Sequence, residues 1–394
     1  MIRGALLLLT FPVALVAQMP PSERLSPKDD KEFHAEIDRL NHLLAVSSDR
    51  CTVMYQIART WAAGGQYPEA IEWLGKVVAM NAGFDPSRDP MFTKLQGTVE
   101  YERLVEKARA STPPVSHSSK AFEIPVSDQF PENLAWDPQT NQFFFGSTHN
   151  GTILRCNIAG SCQTFARDTG IVFGLKVDGG RRVLWAASNR DGESALICYR
   201  LGSGVVFRKC AWNGPGHSLN DLAIDAAGDV FVTDTAAAAV FRVRHAGTEI
   251  ERIAPGKEFI AANGITLSAD GTKLYVADFG DGITVVDVPS GAVHAIAHPA
   301  GVCLGYIDGL YWYRGRLIAI QNGYMSPRVV RFALTADGNG IVSMEVLERR
   351  DPLFDGVTTG VIAGREFFYM ANNQIDKAHN AHLDPITILK IDLN

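Results

Sequence analysis

The sequence predicts a mainly β protein: a six-bladed β-propeller preceded by a small α-helical domain. Three observations lead there. Strand–turn–strand units recur at intervals of about 41 to 51 residues across the last two-thirds of the chain, the length of one four-stranded blade. Helix signals are confined to the first third, where apolar residues repeat every three to four positions. A Pro- and Ser-rich stretch without periodicity, STPPVSHSSK at 111–120, separates the two regions and reads as a linker.

The chain has 394 residues, 46% apolar and 20% charged, with a formal net charge of −6. That length accommodates two domains, and the acidic balance argues against a nucleic-acid partner, which needs clustered Lys and Arg. No apolar run reaches eighteen residues, so no membrane span is expected in the mature chain.

Residues 1–18 read as a secretory signal peptide: Arg3, a short apolar core at 5–17, and Ala17 as a cut site. The competing reading is a buried helix or an uncleaved anchor. Export implies a periplasmic or extracellular location, where disulfides can form. Cys156 with Cys162, and Cys198 with Cys210, flank short turns, as partners across a β-hairpin would; buried free thiols are the alternative for either pair. Cys51 and Cys303 have no evident partner.

The helical domain is placed at 26–110. Ser26-Pro27 makes a capped start, and Phe33, Ile37, Leu40 and Leu44 form one apolar face. A second helix is expected over 53–63, ended by Gly64-Gly65, a third from Pro68, and a fourth within 98–110. The segment YQIARTWAAGGQYPEAIEWLGKVVAM (55–80), with Ala58, Ala62, the Gly65–Tyr67 corner and Glu69–Ile71, resembles a tetratricopeptide unit. That resemblance implies a surface for a protein partner. A helical cap packed on the rest of the chain is the other reading.

The propeller is placed at 121–394. Its six inner strands are expected to begin near Glu132, Phe173, Asn220, Asn263, Asp308 and Thr359, and the second strands to end near Ser147, Ser188, Asp234, Asp278, Gln321 and Asn372. The strand-like AFEIPV at 121–126 is expected to supply the outer strand of the sixth blade and so close the ring.

Strand starts gather at one mouth of a propeller channel, so residues remote in sequence converge there. Glu132, Asn220, Asn263 and Asp308 offer two carboxylates and two amide oxygens, a donor set for a hard divalent cation. Taken singly, each could be an ordinary turn residue. Their shared register, thirteen to fifteen residues ahead of the second strand's end, favours a metal site. Asp221 is either a substrate contact, a support for the ligands, or a structural strand residue. His217 is either a proton shuttle at the mouth or an ordinary loop histidine. His379 and His382, spaced i,i+3 in a long loop of blade 6, do not make a convincing zinc pair.

The Glu132–Trp136 opening (PENLAWD), Asn220-Asp221, Asn263-Gly264-Ile265 and Asp308-Gly309 resemble the senescence-marker-protein, gluconolactonase and luciferin-regenerating-enzyme family. The resemblance implies a six-bladed propeller with calcium or another divalent ion in the channel. It further implies hydrolysis of a small-molecule lactone or ester, with the residue matching Asp308 as general base. Phe173 and Thr359 offer little polar chemistry at their blade openings, and the Arg that contacts sugar acids in some members is not found; Ser218 stands two before Asn220. The rival reading is a metal-containing propeller that binds a ligand or protein without turnover.

Overall fold

The computed structural model describes residues 30–47, 49–125, 128–190, 192–323, 326–377 and 383–394. The expected signal peptide, the Ser26 helix start, His379 and His382 lie outside the described residues.

Helices α1 (Asp30–Val46), α2 (Arg50–Ala63), α3 (Tyr67–Ala79) and α4 (Val99–Ser111) form the N-terminal domain. Gly65 ends α2 at a φ of 75°, a conformation that favours glycine. A Cβ on the neighbouring Gly64 would clash with the Phe33 ring, so this corner lets α1 pack against the end of α2. Two short 3₁₀ turns, Pro86–Arg88 and Pro90–Leu95, follow α3; Asp85 and Asp89 cap them by accepting from Ser87 N and Met91 N.

α2 is buried on every side, which a single amphipathic face would not require. Its second apolar partner is the propeller: Tyr55, Ala58, Phe84 and Phe92 share a core with Ala261, Phe279, Cys303 and Tyr306. Cys51 is joined to Cys303 by a disulfide across this interface. Ser47 Oγ donates to Asp281 Oδ1 at 2.6 Å, Arg328 Nη1 to Ala82 O at 2.9 Å, and Arg350 pairs with Asp85 at 2.8 Å. At its centre, fully buried Arg59 pairs with Asp89 at 3.0 Å, and the Tyr55 hydroxyl donates to the same carboxylate at 2.7 Å.

Residues 119–394 form six four-stranded antiparallel sheets, the blades of a propeller. The inner strands are Pro131–Asp137, Ile171–Asp178, Leu219–Ile224, Ala262–Leu267, Ile307–Tyr313 and Gly360–Ala363. Inner and second strands are buried on both faces and read as continuous apolar runs, whereas outer strands such as Ile250–Ile253 are half exposed. Neighbouring blades pack through aromatic and branched side chains. Trp312 stacks on Tyr275 of blade 4 with ring centroids 5.8 Å apart, and Tyr311 meets Phe367 of blade 6 at 5.0 Å.

The ring closes as expected: Ser119–Ile124 pairs with Ile386–Asp392 as the outer strand of blade 6. The stretch read as a linker is bonded along its length. Val115 exchanges backbone hydrogen bonds with Arg349, Arg349 donates to Pro113 O, and His117 N and Ser118 N donate to Glu348. Its prolines block a regular ladder, and the outer strand of blade 5 supplies the partners instead.

Cys156 and Cys162 lie directly opposite each other across a hairpin and are joined. The pairing of Cys198 with Cys210 is corrected: both are free, buried thiols. Cys198 faces Arg208 and Cys210 faces Leu196, so the two are diagonal neighbours two positions out of register.

Candidate metal centre at the channel mouth

The strand starts carry one recurrent irregularity. In five blades the pairing of inner and second strand slips at the predicted position: between Pro131 and Leu134, Val172 and Gly174, Leu219 and Leu222, Ala262 and Ile265, and Ile307 and Gly309. Each slip is a β-bulge, which bends the strand and re-aims the extra side chain. Phe173 and Asp308 are the extra residues of their blades, and Glu132, Asn220 and Asn263 are each the first of two residues set against one in theirs.

Glycines let the bulged strands approach one another. A Cβ on Gly174 would strike Asn220 O, and one on Gly264 would stand 2.5 Å from Asp308 O, so each glycine presses one strand against the next blade's site residue.

All four predicted ligands are buried. Asp308 is hydrogen-bonded by Asn263, and its Oδ2 accepts from Asn322 Nδ2 at 2.6 Å. Burial drives the Asp308 carboxyl up to about 7, opposed by those two amides and reinforced by the negative charge of Asp221. Glu132 Oε2 accepts from Asn373 Nδ2 at 3.4 Å, and its backbone carbonyl accepts from Thr359 Oγ1 at 2.6 Å. Asn220 Nδ2 donates to Thr235 Oγ1 at 3.1 Å, which leaves Oδ1 as the end available to a cation. Asn263 Oδ1 is buried and has no hydrogen-bond partner among the described residues. An orphaned acceptor of this kind is costly, and a cation at the strand starts would satisfy it. The residues fit a hard cation.

Asp221 is buried one position deeper. It accepts from Leu222 N at 2.8 Å, from Ile265 N of blade 4 at 3.3 Å and from Asn133 Nδ2 of blade 1 at 3.4 Å. Burial raises its carboxyl and the charge of Lys176 counters the rise. Asp221 therefore ties three blades together beneath the site.

Thr235, Asn322 and Asn373, which hold the ligands, were not among the expected residues. Each stands one residue past the second-strand end of its blade, after Asp234, Gln321 and Asn372. A strand–turn–strand repeat that ends at Asp234, Gln321 and Asn372 does not reach them. The strand ends themselves act as latches: Asp278 accepts from Ile260 N and Ala261 N, Gln321 donates to Cys303 O and Gly305 O, and Ser188 donates to Thr169 O.

The helical domain packs on the turns leading into Asn263 and Asp308, through Ala261 and Tyr306. On the same end of the ring, over blades 1 to 3, lies a cavity of about 560 Å³ that includes Phe173, Ser218 and His217. His217 Nδ1 is 2.6 Å from Asp234 Oδ2.

The molecule is thus a six-bladed propeller with buried oxygen donors gathered at the capped end of its channel. Residues 130–294, the first four blades, match the family model described as the SMP-30/gluconolactonase/LRE-like region. The propeller is similar to that family over this stretch, and Asp308 lies beyond it. No curated protein matches the chain in sequence.

Among solved structures, a gluconolactonase from Xanthomonas campestris is 16% identical, with a TM-score of 0.52 over 71% of this chain and 94% of its own. The PQQ-bound aldose sugar dehydrogenase from Streptomyces coelicolor is 12% identical, with a TM-score of 0.50 over 71% of this chain and 100% of its own. A luciferin-regenerating enzyme is 16% identical, with a TM-score of 0.49 over 71% of this chain and 95% of its own. Identities this low speak to the fold, which serves both hydrolytic and redox chemistry.

Proposed function

We propose that this protein is an exported, metal-dependent hydrolase of lactones or esters. Glu132, Asn220, Asn263 and Asp308 would hold a divalent cation, calcium foremost, because the donors are carboxylate and amide oxygens without nitrogen or sulfur. Such an ion, when bound, polarises the substrate carbonyl and offsets the negative charge that builds on its oxygen. The chain supplies the rest. Asp308 is the general base that takes a proton from the attacking water, its carboxyl held in place by the Asn263 and Asn322 amides. Asp221 keeps the strands of blades 1, 3 and 4 in register beneath it. Export is supported by the N-terminal signal and by two disulfides, which persist in oxidising compartments.

The observation that carries this reading is the buried Asn263 Oδ1 beside Asp308, which has no hydrogen-bond partner among the described residues. The test is the metal content of purified protein, together with a panel of lactones and aryl esters assayed with and without chelator and with Asp308→Asn. The expected result is about one divalent ion per chain and hydrolysis lost in both treatments. Hydrolysis that survives chelator and Asp308→Asn overturns the mechanism. A bound cation with no turnover on any substrate favours the binding-module reading.

A further inference from the structure

The six blades are sisters, which lets one blade's departure be isolated. At the end of the second strand of blades 2 to 5 a polar side chain pins the turn that leads into the inner strand. In blade 4 both carboxylate oxygens of Asp278 are taken by backbone amides, Ile260 N at 2.7 Å and Ala261 N at 3.0 Å. In blade 3 the matching Asp234 pins Ser218 N at 2.9 Å with Oδ1, but gives Oδ2 to the imidazole of His217 at 2.6 Å. The latch alone therefore does not account for the histidine. Asp234 is fully buried, and the His217 side chain is 21% exposed between the rings of Trp212 and Phe241. With Nδ1 engaged by the carboxylate, Nε2 has no hydrogen-bond partner among the described residues. This is the arrangement in which a carboxylate fixes an imidazole for proton transfer at its other nitrogen.

The cavity beside it runs from the histidine toward residues that neighbour the predicted ligands. Its lining includes Phe173, the bulged residue of blade 2 that stands in the register position of the ligands, and Ser218, two residues before Asn220. Gly174 holds the Phe173 strand hard against Asn220. Ile171, Phe173 and Pro215 give the cavity apolar walls, while its volume of about 560 Å³ is that of a site for a drug-sized molecule. The opposite side of the mouth is occupied by the helical domain, so a substrate whose carbonyl lies at the centre extends over blades 1 to 3.

Resting on the hydrolase reading above, we propose that this cavity receives the alcohol portion of an ester or lactone and that His217 protonates the departing oxygen. Asp308 takes one proton from water as its oxygen bonds to the carbonyl carbon; the acyl C–O bond then breaks, and its electron pair leaves with the alcohol oxygen. Protonated His217 delivers a proton from Nε2 to that oxygen, giving an acid and an alcohol. Solvent returns the Asp308 proton to the imidazole. His217 is a catalytic residue in this scheme and Asp234 a positioning residue.

The experiment compares two butyrate esters that differ in the alcohol: p-nitrophenyl butyrate, whose phenolate leaves without a proton, and n-butyl butyrate, whose alkoxide does not. His217→Asn is expected to lower kcat/KM for the butyl ester by about 10² to 10³-fold while changing the p-nitrophenyl ester by less than about threefold. Asp234→Asn should move the two esters in the same unequal way, and thermal melting of each variant reports whether the blade-3 latch has survived. Equal losses on both esters, or none on either, overturn the role of His217 and leave the hydrolase reading standing if wild-type protein turns them over. Absence of wild-type hydrolysis on both esters and on the lactone panel overturns both.

Discussion

Removing the Cys51–Cys303 disulfide by replacing both residues with Ala tests how far the helical domain depends on the propeller. The bridge closes a loop of 252 residues. The chain-entropy relation gives about 5.5 kcal/mol of denatured-state restriction for a loop of that length, against about 2 kcal/mol for the six-residue Cys156–Cys162 loop. With an unfolding entropy of about 2 cal/mol/K per residue, a domain pair of this size loses roughly 6 to 7 °C of Tm from the first change and about 3 °C from the second. The interface retains Tyr55, Phe84 and Tyr306 and the Arg350–Asp85 pair, so the helices stay docked at room temperature. Scanning calorimetry of both double variants, with wild type in the presence and absence of thiol reductant, gives the comparison. A Cys51/Cys303 variant that melts no lower than the Cys156/Cys162 variant would refute the loop-entropy reasoning. It would mean that residual contacts already restrict the denatured chain, so that the bridge adds little.

Calcium at a hundred times its Kd should raise stability by about 2.7 kcal/mol, and Asn263→Ala should abolish the rise, as read by thermal shift with and without chelator. Gly264→Ala places a methyl 2.5 Å from Asp308 O and is expected to cost about 1 to 3 kcal/mol in denaturant unfolding while weakening cation binding. The Arg182–Asp137 pair, 2.5 Å apart, bridges blades 1 and 2. Burial alone would push the Asp137 carboxyl up, but hydrogen bonds from Arg182 and Thr140 outweigh it and hold it below its ordinary 3.8. Its contribution is therefore complete above 3.8 and disappears as the pH falls below that value. Arg182→Gln should flatten the acid limb of a stability–pH profile, and an unchanged limb would count against the pair.

The blades were legible because a propeller writes its period into the chain: Asn263 to Asp278 announces a strand, a turn and a strand, and the other copies follow. Ring closure by the segment before blade 1 was legible because a strand-like run with no blade of its own needs an edge to cover. The bulges were not. A bulge adds one residue to one strand, and a repeat period that already varies between copies conceals it. Nor could hairpin spacing separate Cys156–Cys162, which are opposite, from Cys198 and Cys210, which are diagonal; the difference is two positions of register. Cys51 and Cys303 eluded local reasoning for another cause. Their proximity follows from how the helices sit on the turns of blades 4 and 5, and no short-range pattern encodes that placement. Thr235, Asn322 and Asn373 follow the strand ends by a single residue, where a two-strand template has already stopped.

The closing strand also sets an order of events during synthesis. Ser119–Ile124 emerges early, yet its partner Ile386–Asp392 is nearly the last segment made, and Cys51 must wait for Cys303. Until then the nascent chain holds an unpaired strand edge, an uncovered helical face and a free thiol, each a hazard for aggregation or mispairing. Loss of the final nine residues would leave that strand edge unpaired for good, because it removes the partner of Ser119–Ile124 that closes the ring.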